Sequence, residues 1–288
     1  MTEQEDKQSQ AAVQQGGIPL RAQRRMAELG AAPNGLFTST LSAAEGVVAK
    51  AAGLEVVSQV MGSSTYHVGF SGYVGTWSGG ELAPLTLAHE RARLLALSRM
   101  EQEAMLLRAH AVIDTRFMSR AHPWAEDLIE YTAVGTAVRF RNEPPPQRPA
   151  LTLLRADEYS KLHKAGYAPL GIAMGNCFWY DPHADCSRDG TFFSCELPAH
   201  TAASQQARDL AVTRFRASAQ RFQGATGVLG VHLHRYVHSH EHDGHCRLHV
   251  DLMIMGTAVV RKPGPHAPPR PLLVVDLRDR GTTRGYQP

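Results

Sequence analysis

The chain has few cysteines and no long apolar run. Only four of its 288 residues are cysteine, and no two of them form a CxxC pair. Their spacing matches no zinc knuckle, so we expect reduced and mostly buried thiols. No apolar stretch approaches the roughly 18–20 residues that span a bilayer, so no membrane partner is expected. The first ten residues are acidic and polar, unlike a secretory signal, and therefore favour a cytoplasmic protein.

An excess of one charge and the common catalytic motifs are also lacking. Lys and Arg number 30 against 27 Asp and Glu, a formal net charge of +3. Nucleic-acid-binding proteins usually concentrate more basic charge on one face, so no nucleic-acid partner is expected. The motifs G-x-x-x-x-G-K-[ST], G-x-G-x-x-G and G-x-S-x-G do not occur. Because no nucleophile, base and oxyanion hole are recognisable together, the sequence predicts a non-enzymatic protein.

What the sequence does contain is an internal repeat. Three segments of the first half recur in the same order in the second half, and the aligned pairs are residues 37–64 with 150–177, 108–114 with 224–230, and 134–138 with 255–259. The period is too long for a solenoid. We therefore expect a tandem duplication that gives two related domains.

Both repeats predict the same order of elements. A short helix (Ser42–Ala52 and Ala156–Ala165) ends at a glycine and is followed by a β-rich run. A long helix (residues 84–109 and 202–223) and two strands complete each repeat. The order predicts an α+β fold. Each domain would be a small, mainly antiparallel sheet with one long helix packed across it and one short N-terminal helix.

The long helices carry apolar residues at helical spacing, which predicts their packing faces. In the first helix these residues are Leu87, Leu94, Leu97, Met105 and Ala109. In the second they are Ala207, Ala211, Phe215, Phe222 and Ala225, with Ser218 between them.

Composition outside the repeats sets the domain boundaries. The first residues are rich in Gln, Ala, Gly and Arg without clear periodicity, which favours disorder apart from a short helix around Leu20–Leu29. Proline-rich stretches such as RNEPPPQRP tend to be extended. The expected segments are a disordered N-terminal arm (1–35), domain 1 (36–140), a Pro-rich linker (141–150), domain 2 with a His-rich hairpin (151–261) and a Pro/Arg-rich C-terminal tail (262–288).

Both repeats resemble a known family. EVVSQVMGSSTYHVG, the long Ala/Arg/Glu helix, AVIDTRF and VGTAV are similar to the YbjQ-type heavy-metal-binding domain, and YAPLGIAMGNC, GATGVLGVHL and MGTAV carry the same pattern. The resemblance implies two tandem dodecin-like domains whose strands close into a ring, commonly a pentamer. A homo-oligomer is also expected because small sheets with open edges must cover or close them. The resemblance brings no catalytic residues with it.

A histidine-rich stretch is the one motif with ligand chemistry. Seven of the fifteen histidines lie between Val231 and Val250, and Asp243-Gly244 is a hairpin signal that places His238 opposite His249. Side chains alternate along a strand, so the candidate metal ligands share one face. They are His232, His234, His238, His240, His242, His245, His249 and Asp251.

Neutral imidazole is a good ligand for zinc, copper or nickel, so this face predicts a divalent transition-metal site. The first repeat has Arg116 and Met118 in place of His232 and His234, so such a site would belong to domain 2 alone. The opposite, apolar face of the hairpin should pack under the long helix.

Two other interpretations stay open. One is a purely structural ring-forming scaffold whose histidine face responds to pH. The other is a metal-dependent hydrolase. The stretch from His240 to His245 resembles the HxHxDH zinc motif, but its Asp lies one position early.

Overall fold

A computed structural model describes residues 3–31, 37–69, 79–122, 125–141, 143–184, 196–242, 245–263, 274–275 and 283–284. Within these ranges the helices are α1 (Glu3–Gln14), α2 (Leu20–Ala31), α3 (Ala43–Ala51), α4 (Ala83–Leu106), α5 (Ala156–Lys164) and α6 (Pro198–Gln220). The strands are β1 (Leu54–His67), β2 (Gly80–Glu81), β3 (Ala111–His122), β4 (Ala125–Phe140), β5 (Ala150–Leu151), β6 (Tyr167–Ala184), β7 (Gly227–His242), β8 (His245–Arg261), β9 (Val274–Val275) and β10 (Thr283–Arg284).

The strands form two four-stranded sheets, which we call the first sheet (order β1-β4-β3-β5) and the second sheet (order β2-β6-β8-β7). In the first, α4 packs on β1 and β4; in the second, α6 packs on β6 and β8. The long strands of each sheet are antiparallel. The predicted α+β fold is therefore confirmed.

Local sequence explains why the short helices begin and end where they do. At the start of α3, the Glu45 carboxylate accepts a hydrogen bond from the Ser42 backbone N–H at 2.8 Å, and the Ser42 hydroxyl accepts one from the Glu45 N–H. This reciprocal arrangement is a capping box. After α3, Gly53 takes a φ of +77°, a left-handed conformation in which glycine lacks the steric penalty of other residues.

Each long helix lies close against a strand at a glycine. A Cβ on Gly62 would lie 2.1 Å from the carbonyl oxygen of Ala96 in α4. A Cβ on Gly175 would lie 2.2 Å from the carbonyl oxygen of Ala211 in α6. The close approach also requires small residues on the helices, and alanines form much of their buried faces.

This packing corrects the predicted face of the first long helix. Leu97 and Ala109 are buried as expected, but Leu87, Leu94 and Met105 are among the exposed large hydrophobic residues. The buried face includes four alanines instead, among them Ala96, which lies against Gly62 where a larger side chain would hold the helix too far from the sheet. The predicted face of α6 is confirmed at Ala207 and Ala211, which are buried.

The two halves of the chain share further details of backbone contact. The backbone N–H of Thr40 donates to Thr136 Oγ1 at 3.0 Å, and the backbone N–H of Leu153 donates to Thr257 Oγ1 at 3.0 Å. The two threonines occupy the same position in the repeated segments VGTAV and MGTAV. The segment that precedes each short helix is therefore fixed to its sheet by the same contact.

The halves also contribute strands to each other's sheets. Strand β2 from the first half pairs with β6 of the second sheet, and β5, at the end of the expected linker, pairs in parallel with β3. The Arg214 guanidinium in α6 donates two hydrogen bonds to the Glu81 carboxylate in β2, at 2.6 and 2.8 Å. The two sheets therefore pack as one unit.

The N-terminal arm differs from the prediction. Residues 3–31 form α1 and α2, the second close to the helix expected around Leu20–Leu29. Met26 is fully buried in the core beside α4, and Arg25 Nη2 lies 2.6 Å from Glu103 Oε1. The structure differs from the expected disorder because two buried residues, Ile18 and Met26, and polar contacts with α4 hold the arm, and these produce no apolar period in the sequence. Most of the C-terminal tail lies outside the described residues.

Candidate functional site

The hairpin β7–β8 has the register that its Asp-Gly turn predicts. The backbone pairs are His238 with His249, Tyr236 with Asp251, His240 with Arg247, and His242 with His245. The turn residues lie outside the described residues, as do the side chains of residues 240–242 and 245–246. The predicted register is confirmed at the level of the backbone.

The structure does not assemble the predicted metal ligands that it describes. Among the described side chains, no group of three or more His, Cys, Asp or Glu residues is placed to hold a metal ion. The five predicted ligands covered by that statement are His232, His234, His238, His249 and Asp251. The ring of His249 instead contacts that of Tyr180, with centroids 4.7 Å apart.

The histidine face lies over the first sheet and does not simply point to solvent. His232, His234 and Tyr236 line a cavity of about 430 Å³, which we call the inter-sheet cavity. Its opposite wall includes Thr115 and Phe117 of β3. The second sheet therefore covers part of the first with the side that carries the histidines.

The apolar side of the hairpin is only half covered, which corrects the expectation that it packs under the long helix. In β8, Leu248, Val250, Leu252 and Ile254 are buried with α6. In β7, Val231 and Leu233 remain 53% and 52% exposed. The reason is that α6 lies over β6 and β8 and reaches β7 through a hydrogen bond from Arg235 Nη1 to Ser204 Oγ (3.4 Å).

A buried polar cluster that sequence reasoning missed forms one end of the inter-sheet cavity. Arg93 of α4 is 1% exposed, and its Nη2 donates to Tyr131 Oη at 3.1 Å. The guanidinium carbon lies 4.8 Å from the centroid of the Tyr131 ring, a cation–π contact. Tyr131 Oη also lies 2.7 Å from His89 Nδ1.

Burial and charge set the protonation of this cluster. Burial, with a smaller contribution from Arg93, lowers the pKa of His89 to about 3, so the imidazole is neutral at physiological pH. Burial raises the pKa of Tyr131, which is therefore neutral as well. Arg93 carries the positive charge of the cluster alone.

The charge of Arg93 affects the pKa of one carboxylate of the cavity wall, Asp251. Burial raises its pKa to about 6, and Arg93 and His238 oppose the rise. Asp251 Oδ1 is buried and has no hydrogen-bond partner among the described residues, and the same holds for Nε and Nη1 of Arg93. Both side chains line the inter-sheet cavity.

The remaining charged residues of the cavity wall have partners. Arg116 Nε donates a hydrogen bond to Asp114 Oδ1 at 3.2 Å, and Arg116 Nη2 lies 2.8 Å from Asp114 Oδ2 in the same ion pair. Arg155 Nε donates to Glu45 Oε1 at 2.6 Å, and its backbone N–H donates to Glu158 Oε2 at 2.9 Å. Arg93 and Asp251 thus differ from the charged groups around them.

The one cysteine whose side chain is described behaves as expected. Cys177 is fully buried under α6, and burial raises the pKa of its thiol to about 12. Such a thiol is a poor nucleophile, since the thiolate is the reactive form. The other three cysteines, Cys186, Cys195 and the side chain of Cys246, lie outside the described residues. None of the described helices combines the length and apolarity needed to cross a membrane.

Comparison with known proteins shows the family of the first half of the chain. Residues 36–141 match the YbjQ family, described as "Putative heavy-metal-binding". A UPF0145 protein of Enterococcus faecalis is 37% identical over 65 residues, 23% of this chain and 60% of that protein. The first half of the chain is therefore a YbjQ-type domain, and the match does not extend to the histidine hairpin.

A second relative covers more of the chain. An encapsulin nanocompartment protein of Mycobacterium tuberculosis is 37% identical over 203 residues, which are 68% of this chain and 77% of that protein. The chain belongs to the family of that protein. No solved structure is significantly similar to this chain.

Proposed function

We propose that this chain is a non-enzymatic assembly subunit made of two tandem YbjQ-type units, and that copies join head to tail through β7. The shared element order, the paired Thr136 and Thr257 contacts and the close helix approach at Gly62 and Gly175 support the tandem arrangement. The relative from M. tuberculosis is named as a nanocompartment protein, which supports a role in assembly.

The observation that carries the proposal is the exposed apolar side of β7. In the first sheet, Phe117 of β3 pairs with Ala133 on the side that faces α4, and the second half covers it. In the second sheet, Leu233 pairs with Ile254 on the side that faces α6, yet Leu233 is uncovered. The two positions are equivalent, so the second unit lacks the neighbour that the first unit has.

The first half of another copy is the occupant that fits. The second half covers β3 with its outer face, which carries Met253 and Met255. The corresponding outer face of the first half exposes Met61 and Met118, at 40% and 55%. The two surfaces that meet are different, so the same contact can be repeated from chain to chain. The chains form a ring when the rotation between neighbouring copies brings the last chain back to the first. Units would alternate around it, so a ring of five chains would contain ten units.

Native mass spectrometry of three variants tests this contact. Leu233→Lys and Met118→Lys change opposite sides of the proposed interface, and each should reduce the assembly to the 31.5 kDa chain. The matched control is Val47→Lys, which changes a residue that is 69% exposed on α3 and should leave the assembly intact. A wild-type protein that is a single chain at micromolar concentration would refute the proposal.

We also propose that the hairpin takes up a divalent transition metal such as zinc, copper or nickel. The backbone register that sets His238 opposite His249 favours this, as does the His-x-His spacing along β7. The family description points the same way, although its match lies in the first half.

Metal uptake is tested on protein purified without a His tag, by native mass spectrometry before and after EDTA. About one metal ion per chain should be bound and then lost, as a single tetrahedral site requires. The double variant His238→Ala/His249→Ala should lose the metal and keep the assembly, while His110→Ala serves as a histidine control. If the assembly falls apart instead, the histidines are interface residues. A response to pH between about 5 and 7.5, without effect of chelator, would then favour the pH-sensitive scaffold.

A further inference from the structure

The wall of the inter-sheet cavity includes one buried cation, Arg93, and one partly buried anion, Asp251, which do not contact each other. We propose that it binds a small zwitterion with an apolar body, such as a free apolar or aromatic amino acid. The carboxylate of the ligand would pair with Arg93 and its ammonium group with Asp251. The lining residues all come from one chain, so this site does not depend on the proposed assembly.

Arg93 supplies the first half of the argument. Its side chain is almost fully buried, and its Nε and Nη1 atoms have no acceptor among the described residues. Leaving a buried charged donor unsatisfied is costly, more so than leaving a neutral one. Tyr131 and His89 occupy one side of the guanidinium and are both neutral, so neither compensates its charge. An acceptor that carries negative charge is the group that this end of the cavity lacks.

Asp251 supplies the second half. Its Oδ1 is buried and accepts no hydrogen bond from the described residues, although an ionised carboxylate can accept several. The backbone pairing of Asp251 with Tyr236 directs it to the cavity side of β8, together with Met253 and Met255. A donor that carries positive charge is the group that this end lacks.

The surrounding charges exclude a ligand of one sign. The other Asp, Glu and Arg residues of the wall have partners, as Arg116 does in Asp114 and Arg155 in Glu45. A simple anion at Arg93 would be repelled by ionised Asp251, and a simple cation at Asp251 would be repelled by Arg93. A zwitterion satisfies both side chains at once.

The rest of the wall suits an apolar body. Phe117, Leu153, Met253 and Met255 line the cavity together with the two charged residues and the histidines. A volume of about 430 Å³ lies in the range of small-molecule sites, which are usually apolar with a few placed polar groups. Methionine side chains adapt to ligands of different shape, so the site should accept several apolar amino acids.

Isothermal titration calorimetry of the full chain tests the proposal, with L-phenylalanine, L-leucine and L-methionine as probes. Two analogues of phenylalanine each lack one charge: 3-phenylpropionate has no ammonium group and phenethylamine has no carboxylate. At least one amino acid should bind. Each analogue should bind roughly 10- to 100-fold more weakly than phenylalanine, since each loses one charged hydrogen bond.

Variants assign the two ends of the ligand. Asp251→Asn should weaken the binding of phenylalanine by about tenfold or more. The same variant should bind 3-phenylpropionate as tightly as the wild type or more tightly, because its carboxylate is no longer repelled by an ionised Asp251. Arg93→Lys should weaken phenylalanine and leave phenethylamine unaffected. Arg116→Lys is the control, because that residue lines the same cavity and is already paired with Asp114.

Two results would overturn the proposal. One is that none of the three amino acids binds, in which case Arg93 and Asp251 are an ion pair bridged by water. The other is that 3-phenylpropionate binds as tightly as phenylalanine, which would remove Asp251 from the site. If Arg93→Lys does not fold, the two analogues and Asp251→Asn still decide the outcome. Failure of the assembly experiments would not affect these titrations.

Discussion

Asp251→Asn should make the protein more stable at high pH. Burial raises the pKa of this carboxyl from 3.8 to about 6, so the folded protein binds the proton more readily than the unfolded chain. Stability contributed by the protonated form is present below about pH 4 and is lost as the pH rises through about 6. This rise in pKa lowers the free energy of unfolding by roughly 3 kcal/mol above pH 6. Asparagine is never ionised and avoids that loss.

Thermal unfolding at two pH values measures the effect. For a chain of this size, roughly 3 kcal/mol corresponds to a Tm increase of about 6 °C at pH 8, and a smaller increase of about 2 °C is expected at pH 4.5, where roughly a third of the effect is present. Asp209→Asn, at an exposed position of α6, is the control and should not alter the pH dependence. A loss at pH 8 would mean that attraction to Arg93 outweighs burial of the carboxylate. An equal gain at both pH values would mean that ionisation of Asp251 is not the cause, and either result would refute the reasoning.

Three further predictions concern the scaffold. Gly175→Ala should destabilise the protein by about 1–3 kcal/mol in denaturant titrations, because the new Cβ would overlap the carbonyl of Ala211 in α6. The control is Gly46→Ala, where a Cβ would meet nothing within 4 Å, and it should stabilise the protein by roughly 1 kcal/mol. Glu45→Gln should lower the free energy of unfolding by about 1 kcal/mol at pH 7, because it weakens the cap of α3. Hydrogen bonds from Ser42 and Arg155 lower the pKa of the carboxyl to about 2, so the difference from wild type should vanish as the pH falls toward 2. A difference that does not diminish at low pH would contradict this explanation. Met26→Ala should release the N-terminal arm from α4 at a cost of about 2–5 kcal/mol, detected as faster proteolysis before residue 37, and unchanged cleavage would show that the polar contacts alone hold the arm.

The features that the sequence predicted correctly are local ones. The Asp243-Gly244 turn predicted the pairing of His238 with His249, because a two-residue turn fixes the register of the strands that it joins. The alignment of the repeats predicted the order of helices and strands in both halves. The candidate site was predicted less well: the histidine face was identified, but Arg93 and the cavity were not.

Arg93 gave no signal because nothing near it in the sequence marks it. It lies within a helix beside Arg91, and one arginine in a charged helix is normally exposed. It is buried because Tyr131 packs over it and the second half closes the cavity above it. Both partners are distant in the sequence, so no local pattern could identify it.

The sequence by itself determined the main elements of the two repeats, their order, the register of the β7–β8 hairpin and the side of the hairpin on which the histidines lie. The register and the side follow from the turn residues and from the alternation of side chains along a strand. Only the tertiary structure decided which of those sides is covered. Leu94 and Leu233 belong to apolar faces and are exposed, while Arg93 is buried. The physical reason is that burial depends on what packs against a surface, and here the second half covers β3 whereas nothing in the described chain covers the apolar side of β7.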